Sequence, residues 1–292
     1  MHPGWAAHAG IVAATLAEAG FRGPATVFEG SGGLYASHIG EIPTAEGLGL
    51  EDIGTRWMTA EIALKPYPCC HFTHAFVDAA FALLAELGTD QITPEQVTSI
   101  ECPTAPPLMP MVTEPAERKI APKTIYDALF SVQYVVATAL VGRPVNLATF
   151  YDEPLDDPEV LAMAALVTCT PDPGTDFPQH FPGEVVLHLA DGQTLRRHVP
   201  ASHGTPEDPM SQHEVLAKFA ATAGRAVPGE QADRITEIVG RLEGLGDVAE
   251  LVDACAIAAA PDGRRTALDG DIDEMPPGVA APAAEARAGS AR

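Results

Sequence analysis

Lysine is scarce in this chain. Only Lys65, Lys119, Lys123 and Lys218 occur among 292 residues, and 17 basic side chains stand against 40 acidic ones for a net charge of −23. Such a field repels a phosphate backbone and excludes nucleic acid as a partner. A small anion stays admissible, because a pocket can gather a few cations locally. Cysteine is sparse too: there are five, with Cys69 adjacent to Cys70 and with Cys102, Cys169 and Cys255 scattered, and no CxxC pair. That excludes a disulfide framework and suits a reducing compartment. No run of about 18 uninterrupted apolar residues exists, and no basic region followed by a hydrophobic stretch opens the chain. A membrane partner and a secretory signal are therefore not expected, and the expected location is the cytoplasm. The glycine cluster at Glu29 to Leu34 lacks the spacing and the Lys-Ser/Thr ending of a phosphate-binding loop and reads as a turn.

What the chain does have is a 46% apolar composition, enough for one large or two modest domains with a real core. Its most informative stretch is Lys65-Pro-Tyr-Pro-Cys-Cys-His-Phe-Thr-His74, which continues as a helical run to Leu87. Pro66 and Pro68 hold the start extended, Thr73 can cap a helix, and Gly88 ends it. At about 100° per residue, Phe72, Phe76, Ala79, Leu83 and Leu87 share one face and His71, His74 and Asp78 the opposite one. The reactive groups are thus expected to point away from the packing face. Four metal donors fall within Cys69 to His74, but adjacent cysteines cannot both reach one tetrahedral site comfortably, so no metal is expected.

The chain opens with an alanine-rich stretch, Met1 to Gly20, that reads as an interior helix of a bundle. A buried helix so near the start leads to the expectation that an upstream part of a larger fold is missing. Further on, Gln96 to Thr104 reads as a strand, and Glu184 to Leu189 with Thr194 to Val199 as a hairpin about Asp191-Gly192. Ile125 to Val141 is apolar on nearly all sides and reads as one buried helix, and 158 to 167 as a short one. Ser211 with Glu214 starts a helix to about Ala223, and Gln231 to Leu242 makes another. The mixture lacks a βαβ rhythm and argues for an α+β fold. From residue 261 to 292 the composition turns to Ala, Gly, Pro and Asp and is expected to be disordered.

Several stretches together resemble the 2-methylcitrate dehydratase (MmgE/PrpD) family, which also includes cis-aconitate decarboxylases and an iminodisuccinate epimerase. The resemblance is carried by His2-Pro-Gly-Trp-Ala-Ala-His-Ala-Gly10 with Ala19 to Pro24, by Lys65-Pro-Tyr-Pro-Cys-Cys with Thr73-His74 and Asp78-Ala-Ala80, by Ala128-Leu-Phe-Ser-Val-Gln-Tyr134, and by Pro209-Met-Ser211 with Lys218-Phe219. It implies a discontinuous all-helical domain, here partial (residues 1–60 and 205–260), carrying an α+β lid (61–204), with the active site in the cleft. It also implies a homodimer, or a partner chain carrying the missing N-terminal half.

Chemistry beside a carboxylate needs cations to hold the acid and a base or acid at the reacting carbon. Lys65 is the expected clamp, and the alternative is that it merely solvates a loop. His74, one turn before Asp78, is the expected imidazole, either catalytic or part of a structural pair. The resemblance implies a catalytic tyrosine at Tyr134, whose bland alternative is a core tyrosine with a satisfied hydroxyl, and a wall shaped by Ser131. His71, Cys70 and His2 are expected to help bind substrate. The resemblance also places a catalytic histidine of the decarboxylases five residues after this lysine, where Cys70 stands here. Arg118, Lys119 and Lys123 form a basic cluster that could draw an anion or simply be a solvated loop. The expected function is dehydration of a small di- or tricarboxylic acid such as 2-methylcitrate, with no cofactor. The alternatives are an epimerase or decarboxylase, and a non-catalytic remnant or split subunit. The first helix, without bundle neighbours, should make the purified chain self-associate in sedimentation velocity. A monodisperse, cooperatively melting monomer would contradict this.

Overall fold

Alternating burial along Val97–Thr104, with Ile100 and Cys102 fully enclosed, marks the strand around which the larger part of the chain is built. The computed structural model describes residues 2–44, 46–48 and 50–256, so the tail expected to be disordered lies outside the described residues. The chain divides into two units, residues 1–61 and 62–292.

In the first unit, α1 (His2–Glu18) follows from a run of strong helix formers, and α2 (Leu34–His38) follows a turn in which the Leu34 N–H donates to the Val27 carbonyl at 2.8 Å. Trp5 and Ile11 on α1 are 71% and 68% exposed. Arg56 pairs with Glu61 at 2.8 Å.

The second unit has an α+β fold. α3 (His74–Leu87) ends, as expected, on Gly88 in the left-handed region at φ 69°. β1 (Val97–Thr104) is followed by α4 (Met109–Val112), α5 (Ala116–Ile120), α6 (Ile125–Leu129), α7 (Val132–Leu140), α8 (Leu147–Tyr151) and α9 (Pro158–Ala164). Then come β2 (Val167–Pro171), β3 (Gly183–Leu189) and β4 (Thr194–Val199), in sheet order β2-β1-β3-β4. β2 runs parallel to β1, and the other neighbours are antiparallel. The hairpin turns at Gly192, φ 92°, as the Asp-Gly pair predicts. α10 (Gln212–Ala223), α11 (Gly229–Gly240) and α12 (Ala249–Ala254) close the unit around a small cluster of Ile235, Ile238 and Ala254. α10 begins on the expected Ser211 and Glu214 capping box. Among the described residues no helix is long and apolar enough to cross a membrane.

Three expectations change. The single helix over Ile125 to Val141 is broken in two, because Ser131 turns extended (φ −125°, ψ 115°) and its hydroxyl accepts from the Tyr134 N–H at 3.0 Å, starting a new helix. The stretch to residue 167 stops being helix at Ala164, and Val167 to Pro171 pairs with β1 instead, a strand whose partner is remote in sequence. Lys119 leaves the expected surface cluster altogether. It is 7% exposed, and its ammonium donates to the Met111 and Phe130 carbonyls, both at 2.6 Å, while Ser131 donates to the Lys119 carbonyl at 2.7 Å. Arg118 stays outside on Asp127 at 2.9 Å.

The core lies between the sheet, α3 and α7. Phe76, Leu83, Ile100, Val135, Leu140, Met163 and Leu187 are all at most 1% exposed. Gly183 lets β3 press on α3: a Cβ there would come within 2.6 Å of the Phe76 nitrogen. Lys119→Ala would strand two carbonyls inside this packing and should cost about 3 kcal/mol in urea unfolding. A loss under about 0.5 kcal/mol would mean that the pin contributes little.

Candidate active site

Proline stiffening alone does not fix the segment leading into α3; four hydrogen bonds do. The Leu64 N–H donates to the Gly204 carbonyl at 2.8 Å, and the Cys70 N–H to the Leu129 carbonyl at 2.8 Å. The Tyr67 hydroxyl donates to Asp78 Oδ1 at 2.7 Å, and the Lys218 ammonium to the Lys65 carbonyl. Gly204, φ 92°, permits the close passage, since a Cβ there would collide with the Leu64 carbonyl oxygen. Burial, reinforced by the Asp78 charge, raises the Tyr67 phenol well above its ordinary range, so it remains a donor.

Within this frame the Cys69 carbonyl is a shared acceptor. Lys65 Nζ donates to it at 3.2 Å from the exposed side, and His74 Nε2 at 3.3 Å from within. Because a carbonyl only accepts, Nε2 carries the proton and Nδ1 is bare, with no partner among the described residues. Burial, and then neighbouring His71, push the His74 pKa to about 3. His74 is therefore neutral at ordinary pH. Burial raises the Cys69 thiol to about 11 and moves the Cys70 thiol up as well, so neither is an activated nucleophile.

Lys65 also borders a cleft of about 450 Å³, together with Tyr67, Asn146, Lys218, Thr222 and Arg225. Arg225 is held by Asp152 through two bonds of 2.6 and 2.7 Å. Lys65 and Lys218 meet no carboxylate within 4 Å among the described residues; their ammonium groups have backbone carbonyls as partners. Burial, and then the Lys65 charge, lower the pKa of Lys218. Each ammonium has three donors, so both keep capacity for an anion. A second recess near Leu87, Gln91 and Asp191 carries Glu95 but no cation. Among the described residues no group of three or more His, Cys, Asp or Glu could hold a metal ion.

Of the residues expected from the sequence, Lys65 lines this cleft, and His74, Tyr134, His71, Cys70 and Ser131 do not. His74 is fully buried, as are Ala75, Phe76, Val77, Ala79 and Ala80 around it, so of the face expected to point outward only His71 and Asp78 stay half-buried and His74 is enclosed. Asp78 does not orient His74. It accepts from Tyr67 and from the His203 N–H at 2.9 Å. Thr73 does not cap α3; its hydroxyl donates to the Cys70 carbonyl and to Cys69 Sγ. His71 is half-buried, with Nε2 at 3.2 Å from Ser202 Oγ, and Cys70 is 7% exposed in the core. Tyr134 is 3% exposed and donates to the Leu155 carbonyl at 3.2 Å, its pKa pushed up to about 12, first by burial. Ser131 is fully buried as the α7 cap. His2 begins α1, and its side chain lies outside the described residues. Lys218 went unassigned in the sequence, though as one of four lysines its rarity was a signal.

A sequence profile of the MmgE/PrpD C-terminal domain matches residues 67–244. The cis-aconitate decarboxylase of Mus musculus is 26% identical over 261 residues, 86% of this chain and 51% of its own length. That of Aspergillus terreus is 26% identical over 273 residues, 86% of this chain and 53% of its own. The cis-aconitate decarboxylase-like protein oryM of Aspergillus oryzae is 27% identical over 258 residues, 85% of this chain and 52% of its own. The chain thus spans about half the length of these curated relatives. For His74, imidazole NMR signals should not titrate between about pH 5 and 8 and should report the Nε2–H tautomer. A midpoint near the ordinary histidine value would contradict its enclosure.

Proposed function

This chain belongs to the MmgE/PrpD family through its C-terminal domain, and from that premise we propose that it is the part of a carboxylic-acid lyase that holds a small di- or tricarboxylate. The observation that carries the reading is the pairing of Lys65 and Lys218 at one cleft, two of only four lysines in a chain of net charge −23. Neither ammonium is neutralised by a carboxylate among the described residues, and both retain free donors. Loss of water or carbon dioxide next to a carboxylate builds negative charge on that group in the transition state. Ammonium groups already in position stabilise that charge more than the ground state, which is where rate comes from.

Dehydration of an acid such as 2-methylcitrate is the reaction we assign first. Cys70 stands five residues after Lys65, and its thiol is enclosed with a raised pKa, so it is poorly suited to transfer a proton as an imidazole would. Decarboxylation of cis-aconitate is the second reading, favoured by the names of the relatives. Tyr134 and Ser131 act in this reading as supports of α7 rather than as groups touching substrate.

The test incubates 2-methylcitrate and cis-aconitate with the chain alone, and mixed with the region of the relatives that it does not span. New C=C absorbance and released carbon dioxide are followed. Water loss from 2-methylcitrate supports the first assignment, and carbon dioxide from cis-aconitate the second. In whichever system turns over, Lys65→Ala should lower kcat/KM about 100- to 1,000-fold. A rate within about twofold of wild type would remove Lys65 from the site.

A further inference from the structure

α10 carries Lys218 to the cleft, yet it buries no residue of its own. Its apolar contact, through Phe219, runs to the small cluster of α11 and α12. What ties it to the rest of the unit includes three polar links: Lys218 on the Lys65 carbonyl, Arg225 on Asp152, and Glu214 on His203. The third depends on a proton. His203 Nε2 lies 2.9 Å from Glu214 Oε1 and Nδ1 lies 3.1 Å from Asp208 Oδ2. Carboxylates accept and do not donate, so both contacts are made together only by the imidazolium, which has a donor on each nitrogen. A neutral ring would set a lone pair against one carboxylate.

The surroundings of His203 are built to keep that charge. Its backbone N–H donates to Asp78 Oδ2 at 2.9 Å, fixing the residue against α3, and Tyr67 holds the other oxygen of Asp78. The carboxylates facing it are thus Asp208 from its own loop, Glu214 from α10 and Asp78 from α3. Arg197 and His198 of β4 line the same shallow recess. Glu214 is itself locked by Ser211, whose N–H donates to it at 2.7 Å and whose hydroxyl lies 2.6 Å from it. Lys218 follows Glu214 by four residues, on the same helix face.

We propose that His203 is a positioning residue: as the imidazolium it fixes the first turn of α10 and so presents Lys218 at the Lys65 cleft, and carboxylate binding weakens when it deprotonates. This rests on the carboxylate reading above. Burial draws the His203 pKa down, but the bonds to Glu214 and Asp208 outweigh it and hold the group above its ordinary value. Glu214 is held at about 2, first by Ser211, and stays charged throughout. A raised folded pKa means that the clamp is complete below about pH 6.5 and is lost as pH rises through the folded value.

The full chain is titrated with tricarballylate, an unreactive tricarboxylate, by calorimetry from about pH 5.5 to 8.5. In parallel, NMR follows the His203 ring, and hydrogen exchange gives protection factors, corrected for intrinsic rates, for α10. In the wild type, affinity should fall about tenfold and α10 protection should drop with the same midpoint as the His203 ring. His203→Gln should show the high-pH behaviour at every pH, and Glu214→Gln should lower the ring midpoint. The proposal is overturned if His203 titrates at or below its ordinary value, if α10 protection ignores that midpoint, or if His203→Gln keeps the wild-type step. If α10 protection follows His203 while tricarballylate binds at no pH, the clamp stands and the carboxylate reading of the cleft falls.

Discussion

Burial of the N-terminal half of α3 between the sheet and α7 is the constraint on which the second unit depends. Ala75, Val77, Ala79, Ala80 and Leu83 are fully buried between the sheet and α7, and Gly183 lets β3 reach the backbone of the first turn. A helix so packed cannot present His74 to a ligand, and its half-buried Asp78 is taken up by Tyr67 and His203. The residues that precede it must instead cross its N-terminal end, with Cys69 and Cys70 drawn into the core and Lys65 left at the rim. The position of the one exposed cation of that segment is therefore a consequence of core packing.

Electrostatics refine that placement. In a chain with 40 acidic side chains, the three lysines whose contacts the structure records all donate to backbone carbonyls rather than to carboxylates. Lys119 spends its ammonium inside, bridging Met111 and Phe130, and is structural. Lys65 and Lys218 do the same at the wall of an open cleft, where a carbonyl dipole orients an ammonium without cancelling its charge. The difference between the structural Lys119 and the two lysines proposed to hold a ligand is exposure, since the bonding pattern is the same.

The two sides of that cleft are held differently. The Lys65 side is anchored to a hydrophobic core that costs many kcal/mol to open, whereas α10 has no buried side chain and relies in part on charged links. Such links respond to pH and salt in ways that apolar packing does not. A cation carried on a polar-tethered helix can thus be adjusted without disturbing the fold beneath it.

The sequence alone determined whatever is written in local order. The strand at Val97, the Asp-Gly hairpin, the Ser211 and Glu214 box, the stop at Gly88, the α+β class and the likeness to the MmgE/PrpD family all follow from neighbours within a few residues or from short motifs. The scarcity of lysine was equally plain. Tertiary structure alone decided that Lys119 turns inward, that Tyr134 closes on Leu155 and that His74 is sealed in the core. It also decided that Asp78 serves Tyr67 and His203, and that Lys218 comes to the carbonyl of Lys65, 153 residues away. Periodicity tells which side of a helix is apolar; it does not tell what covers the other side, and a residue's chemistry is set by that covering.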